Sequence, residues 1–479
     1  MNRSIRRLYL TMAGGFVLLI LLLGYWQVVA AGELNDRPDN PHVAQRERLV
    51  DRGRIISGDG VTLALSRPRR VQGQRIFERR YPMGALAPHV IGYAAPEQGK
   101  TGLESTWNRY LAGSYGTEPL LQRLNLSEKR GADLRITLDT RVQRVALEAL
   151  GGRRGAVVAL DPRTGAVLAM VSEPGFDLND VFARFDRLTQ GEGSPLLNRA
   201  VGGRYAPGST FKVVTATAAL ESGLYTPESR FDDTGRLEVS GPDITNFGQQ
   251  VFGEHDLTFA LTKSINTTFA RIGQALGPEQ LGAQMTAYGF GERPAIDLPT
   301  GEVTISGRYR DGRLAPNDEE GEDAARIAIG QENLGVAPLQ MAMVAAAIAN
   351  GGTLHRPFLM RSIVDRGGGV VREQGPQELG QVAGADTVTA LNVMMRRVVQ
   401  EGTGTAAALA GLAVAGKTGT AETGVDGRNH AWFIGFAPAI DPVVAVAVVI
   451  EDTTGTGGVE AAPVAAAVMK EAIAAEAAP

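Results

Sequence analysis

Cysteine is absent from this 479-residue chain, which excludes disulfides, thiol nucleophiles and thiolate metal sites. Histidine is scarce as well. His42, His89, His255, His355 and His430 are scattered without paired ligand spacing, so no metal centre and no cofactor are expected. Nor is there an excess of positive charge: the formal net charge of -4 offers no general case for nucleic-acid binding. The length leaves room for roughly two or three domains with a large core.

The chain does hold one long apolar run, Leu8 to Ala31, preceded by Arg3, Arg6 and Arg7. As a helix rising about 1.5 Å per residue it spans a hydrocarbon core of about 30 Å. The basic flank predicts a cytoplasmic N-terminus with the remainder outside, and Tyr25 and Trp26 suit the far interface. A signal peptide cleaved near Val28-Val29-Ala30 is the competing reading. The run exceeds the usual apolar core of such a peptide, about 7 to 15 residues, which favours an anchor.

From Gly32 to Arg130 the sequence is polar and arginine-rich. Arg54-Ile55-Ile56 and Val61 to Leu65 flank Gly58-Asp59-Gly60, predicting a hairpin in a pedestal, and a short helix is expected from Gly102 to Leu111. Beyond Leu134 the pattern changes: Leu134 to Leu138 alternates like a strand, and Thr140 with Gln143 predicts a capping box opening a helix through Leu150. Gly155 to Leu160 and Ala166 to Val171 flank Asp161-Pro162-Arg163-Thr164-Gly165, predicting a hairpin. Helices are expected at Thr258 to Leu276 and Leu339 to Ala349, and surface excursions at 316–323 and 363–385. Strands return at Leu412 to Ala415, Ala431 to Phe436 and Val443 to Ile450 before a helix from Pro463 to Ala475. Helices inserted between early and late strands predict an α+β fold, an antiparallel sheet with a helical lobe.

Three short motifs carry the chemistry. Ser209 and Lys212 stand in Arg-Tyr-Ala-Pro-Gly-Ser-Thr-Phe-Lys, where a helix beginning near Ser209 puts hydroxyl and amine on one face. Ser-x-x-Lys alone arises by chance about once in a few hundred residues, so its weight comes from its companions. Ser264-Ile265-Asn266 follows 55 residues on, and Lys417-Thr418-Gly419-Thr420 begins 208 residues beyond Ser209, at the opening of the late strands. Singly, these read as a helix cap, a turn and an edge-strand bulge.

Together, in this order, they resemble the penicillin-recognising serine transpeptidases, whose signatures are Ser-x-x-Lys, Ser-Asp-Asn and Lys-Thr-Gly. Arg52-Gly53-Arg54-Ile55, Tyr81-Pro82-Met83-Gly84 with His89, and Gly102-Leu103-Glu104 look like the pedestal of class B penicillin-binding proteins. Asn198-Arg199-Ala200, Gly330-Gln331, Pro338-Leu339-Gln340 and Gly402-Thr403-Gly404 fit their transpeptidase domain. The modest length looks most like the actinobacterial penicillin-binding protein A group. Ser57-Gly58-Asp59 departs from the family's Asp-Arg-Asn, and Glu332-Asn333 stands where a glycine is commoner.

The resemblance implies a tail at 1–7, an anchor at 8–31, a pedestal at 32–130 and a transpeptidase domain at 131–479. It implies that Ser209 forms an acyl-enzyme with peptidoglycan stem peptides or β-lactams, with Lys212 as base and Ser264 as proton carrier. Asn266, Lys417, Thr418, Gly419 and Thr420 would bind substrate. The pedestal is short for a glycosyltransferase and shows no carboxylate cluster, so a membrane glycan polymerase is an implied partner, along with wall-synthesis or division proteins. A β-lactamase, a D,D-carboxypeptidase and a non-enzymatic scaffold remain the alternatives.

Overall fold

The computed structural model describes residues 3–26, 48–71, 73–95, 98–115, 130–319 and 323–477. Helix α1 (Arg3–Gly24) has no buried side chain and is long and apolar enough to cross a membrane. The rings of Tyr25 and Trp26 meet edge-on at its end. Residues 27–31 of the expected span lie outside the described residues.

The pedestal hairpin forms where Gly58-Asp59-Gly60 predicts it. β1 (Ile55–Ile56) turns into β2 (Thr62–Val71), which pairs antiparallel with β3 (Gln74–Arg80). The departure Ser57-Gly58-Asp59 has a local use. Asp59 accepts from the Thr140 hydroxyl at 2.5 Å and the Thr140 N–H at 3.1 Å, tying this turn to the start of a later helix.

β4 (Asp133–Ile136) runs parallel to β1. Helix α2 (Thr140–Leu150) follows, but the expected capping box does not form. Asp139 is the cap, accepting from the N–H groups of Arg141 and Val142, while Gln143 is buried and bonds Leu86 and Met170. An acceptor one residue upstream outcompetes the Thr140 hydroxyl, which is engaged by Asp59. The hairpin of β5 (Gly155–Leu160) and β6 (Val167–Glu173) forms as expected.

Helix α3 (Lys212–Glu221) is buried from Lys212 through Ala219. The predicted helix from Thr258 to Leu276 is two helices, α4 (Leu257–Lys263) and α5 (Asn266–Ala287). Ile265 N–H reaches back to Ala260 O and Ser264 N–H to Leu261 O, a Schellman ending that puts Ser264 at φ +62°. After α6 (Pro338–Ala349), residues 363–385 are not merely an excursion. β7 (Met360–Val364) and β8 (Val370–Glu373) complete the pedestal sheet in the order β8-β7-β4-β1-β2-β3. No local pattern in 363–385 marks this, because the β8 strand is exposed along its length.

Helix α7 (Ala385–Glu401) leads to the late strands β9 (Ala415–Glu422), β10 (Asn429–Ala437) and β11 (Val444–Thr453), and then α8 (Gly457–Glu476). The expected strand at Leu412 to Ala415 thus begins where it was to end. Leu412 makes only an isolated bridge with Leu409. The last helix starts six residues before Pro463, where Gly457 N–H donates to Thr420 Oγ1. The late strands form a second sheet with the all-antiparallel order β9-β10-β11-β5-β6.

Strand alternation divides the core between the faces of this sheet. Val157, Ala159, Phe433, Val446 and Val448 pack with α2 and α8; Ala156, Val158, Trp432, Ile434, Ala447 and Val449 pack with the helical lobe, including α3 and α6. Covered on both faces, the strands read as continuous apolar runs. The architecture is the expected α+β fold.

Candidate active site

Gly208 holds φ +53°, and its N–H donates to Gly330 O at 2.9 Å. A Cβ on Gly330 would lie 1.9 Å from Gly208 O, so the two backbones close on each other only through glycine. From this turn the chain enters a 3₁₀ turn over Gly208–Phe211 and then α3; Lys212 N–H donates to Ser209 O. The expected helix start near Ser209 is therefore tighter than an α-helix. In a 3₁₀ turn residues three apart eclipse, aligning Ser209 with Lys212 more directly.

The Lys212 amine is wholly buried and donates to Ser264 O at 2.7 Å and Asn266 Oδ1 at 2.7 Å, with Ser264 Oγ at 3.3 Å. Asn266 Nδ2 donates to Thr245 O at 2.9 Å, which turns its carbonyl oxygen toward Lys212. The Schellman bend aims Ser264 O and Oγ at the same amine. Lys417, also wholly buried, donates to Ser264 Oγ and Thr418 O, each at 2.9 Å. Burial first, and the Lys417 cation second, hold the Lys212 amine well below the ordinary lysine range. Burial alone pushes Lys417 down to about 7.

β9 is an edge strand of its sheet and carries Lys417 through Thr420. Thr418 Oγ1 meets Thr403 Oγ1 at 2.5 Å. A Cβ on Gly419 would stand 2.8 Å from Pro207 O and 3.1 Å from Thr210 N, so the absence of a side chain lets the strand lie on the Ser209 turn. Ser209, Ser264, Asn266, Thr418, Gly419 and Thr420 line one cleft of about 830 Å³. Lys212 and Lys417 lie beneath them.

All eight residues singled out in the sequence thus converge. Other supports were not legible. Tyr205 donates to Glu451 Oε1 at 2.5 Å, Arg199 bonds the same oxygen at 2.8 Å, and Trp432 Nε1 donates to Ala206 O at 3.1 Å. These fix the segment leading into Ser209 from strands more than 200 residues away. Thr245, which orients Asn266, carries no signal of its own. Glu332 has φ +56°, which explains why glycine suits its position.

Residues 155–470 match the family model of the penicillin binding protein transpeptidase domain, and 52–133 that of the penicillin binding protein A dimerisation domain. The chain belongs to the penicillin-binding transpeptidase family. It is 36% identical to the peptidoglycan D,D-transpeptidase PbpA of Mycolicibacterium smegmatis and 34% identical to PbpA of Mycobacterium tuberculosis, with 99% of each chain covered. Among solved structures, a ceftriaxone acyl-enzyme complex of penicillin-binding protein A from M. tuberculosis superposes with TM-score 0.81 at 32% identity, covering 89% of this chain and 99% of that one. The D,D-transpeptidase domain of an Eggerthella lenta peptidoglycan glycosyltransferase gives 0.79 at 35%, covering 90% and 99%. The family's penicillin-recognising fold is thus present here along nearly the full chain.

Proposed function

We propose that this protein is a peptidoglycan D,D-transpeptidase working through a Ser209 acyl-enzyme. The observation that carries the reading is the buried Lys212 amine, held between Ser264 and Asn266 beneath the Ser209 turn, with Lys417 beside it. A neutral amine has two N–H bonds. Ser264 O and Asn266 Oδ1 accept both, leaving the lone pair to take a proton.

In the acylation step, Ser209 Oγ attacks the penultimate D-alanine carbonyl carbon while Lys212 accepts the hydroxyl proton. The carbonyl electrons move onto oxygen, facing the N–H groups of Ser209 and Thr420; such donors are often worth about 10²–10³ in rate. The C–N bond then breaks. Ser264, whose Oγ accepts from Lys417 at 2.9 Å and so has its own proton free to donate, passes a proton to the departing amine and is refilled from Lys212. An amine of a neighbouring stem peptide attacks the ester, forming the cross-link and releasing Ser209. A β-lactam acylates the same hydroxyl.

An extended donor peptide fits the free edge of β9, with its carboxylate at Lys417, Thr418 and Thr420 and its amide at Asn266. The apolar α1 supports a single-pass anchor, with the N-terminus cytoplasmic by its arginines and the active site outside. Residues 32–130 then form the pedestal and 131–479 the transpeptidase domain. The glycan strands come from a separate membrane polymerase.

Fluorescent penicillin is the test. Wild type is expected to label stoichiometrically and hold the label for hours, while Ser209→Ala stays folded and dark. Rapid loss of label would instead indicate a β-lactamase, and release of D-alanine without amine transfer a carboxypeptidase.

A further inference from the structure

The pedestal hairpin departs from the acidic balance of the chain. Residues 62–80 hold six arginines and one acid, Glu78. Arg79 is buried against Glu104 at 2.6 Å, and Arg80 binds Glu78 at 2.9 Å. Arg67, Arg69 and Arg70 are exposed and make no ion pair among the described residues. From Arg67 to Val71 the strand is exposed on both faces, so this end projects from the body.

Along the hairpin runs a groove of about 520 Å³, with Arg69, Ile76 and Arg80 on one wall and Phe182, from the helix Val181–Thr189, on the other. Phe182 is 60% exposed. Arg48 also lines the groove, and its carbonyl accepts from Phe77 N–H at 2.7 Å.

Guanidinium groups beside a water-exposed aromatic ring match a membrane interface, where phosphates meet the cations and the ring enters the glycerol and upper acyl layer. A soluble polyanion would use the arginines and leave Phe182 in water. We propose that this groove seats the phosphate headgroup and upper acyl chain of an anionic phospholipid, laying the pedestal hairpin against the bilayer that holds α1. This rests on the anchor reading of α1, which is tested separately by stable incorporation of the full chain into nanodiscs.

The decisive measurement is amide hydrogen exchange over residues 62–80 and 181–187, with the full chain in phosphatidylcholine nanodiscs or in nanodiscs containing phosphatidylglycerol. Exchange should slow severalfold with phosphatidylglycerol. The slowing should vanish in about 0.5 M salt, where the Debye length falls to a few ångström. Arg67→Gln/Arg69→Gln/Arg70→Gln should lose the protection while labelling with penicillin at the wild-type rate, and Phe182→Ser should weaken it. Equal exchange in wild type with both lipids would overturn the proposal whatever the variants do. So would protection that survives the triple substitution, or equal slowing by inorganic phosphate in phosphatidylcholine nanodiscs, which would assign the groove to a soluble anion.

Discussion

Two buried lysines share one serine at the centre of this site, and the second of them, Lys417, acts on the charge of the first, Lys212. Burial depresses both amines, and the Lys417 cation lowers Lys212 further. The folded Lys212 therefore releases its proton at lower pH than in the unfolded chain. Stability from this group rises with pH between its folded value and 10.5, and below the folded value its burial cost is constant. The same titration supplies the base. The second-order rate of penicillin acylation should rise with pH along a limb set by Lys212. In Lys417→Met that limb should move to higher pH, because without the neighbouring cation Lys212 holds its proton longer. An unmoved limb would mean that Lys417 does not tune the amine. Of this residue-scale chemistry, the sequence shows the groups and their order but not their burial, since Lys212 and Lys417 lie in stretches that read equally as exposed.

At the scale of the element, the nucleophile turn and the β9 edge are held in register by missing side chains. Gly419→Ala puts a methyl group against Pro207 O and Thr210 N, both backbone atoms that cannot swing away. The strand must then shift. A misplacement of about 1 Å can cost on the order of 10²-fold in rate. Acylation by penicillin should fall by roughly that factor while Tm changes little; a Tm loss in proportion to activity would indicate general unfolding instead. Helices and the early hairpin were readable from periodicity and turn residues. The break at Ser264 was legible only as the turn that Ser264-Ile265-Asn266 reads as singly, because apolar residues continue on both sides of it and the Schellman hydrogen bonds end α4.

Across the whole molecule, a six-stranded sheet joins distant parts of the chain: β7 pairs with the early strand β4, and β8 extends the sheet beyond β7. Glu104 ties the early part of the chain together from within. Its carboxylate binds Arg52 and Arg79, each at 2.6 Å, with all three side chains nearly inaccessible. Burial alone would raise its pKa, but the two guanidinium groups outweigh this and hold it below 4.5. Stability from Glu104 is then fully present above pH 4.5 and lost as pH falls through its lower folded value. Glu104→Gln leaves two arginines without a counter-charge and should cost about 3–5 kcal/mol by denaturant unfolding. The variant should also show a flatter acid limb than wild type. An unchanged acid limb would place the acid sensitivity elsewhere.

What the sequence determined by itself was local: an apolar run long enough for a membrane, turn residues at the hairpins, and three motifs whose residue types admit acyl transfer. Those signals act over a few residues, so the sequence reports them directly. Tertiary structure alone decided that Ser209 and Ser264 share one cleft with Lys417 buried beneath it, that Glu451 and Trp432 hold the turn before the nucleophile, and that a late hairpin completes the pedestal sheet. These contacts join positions tens to hundreds of residues apart. They form because burying both faces of one sheet leaves few ways to arrange the helices and edges around it, a constraint carried by the whole core and by no single stretch of Ser209's neighbourhood.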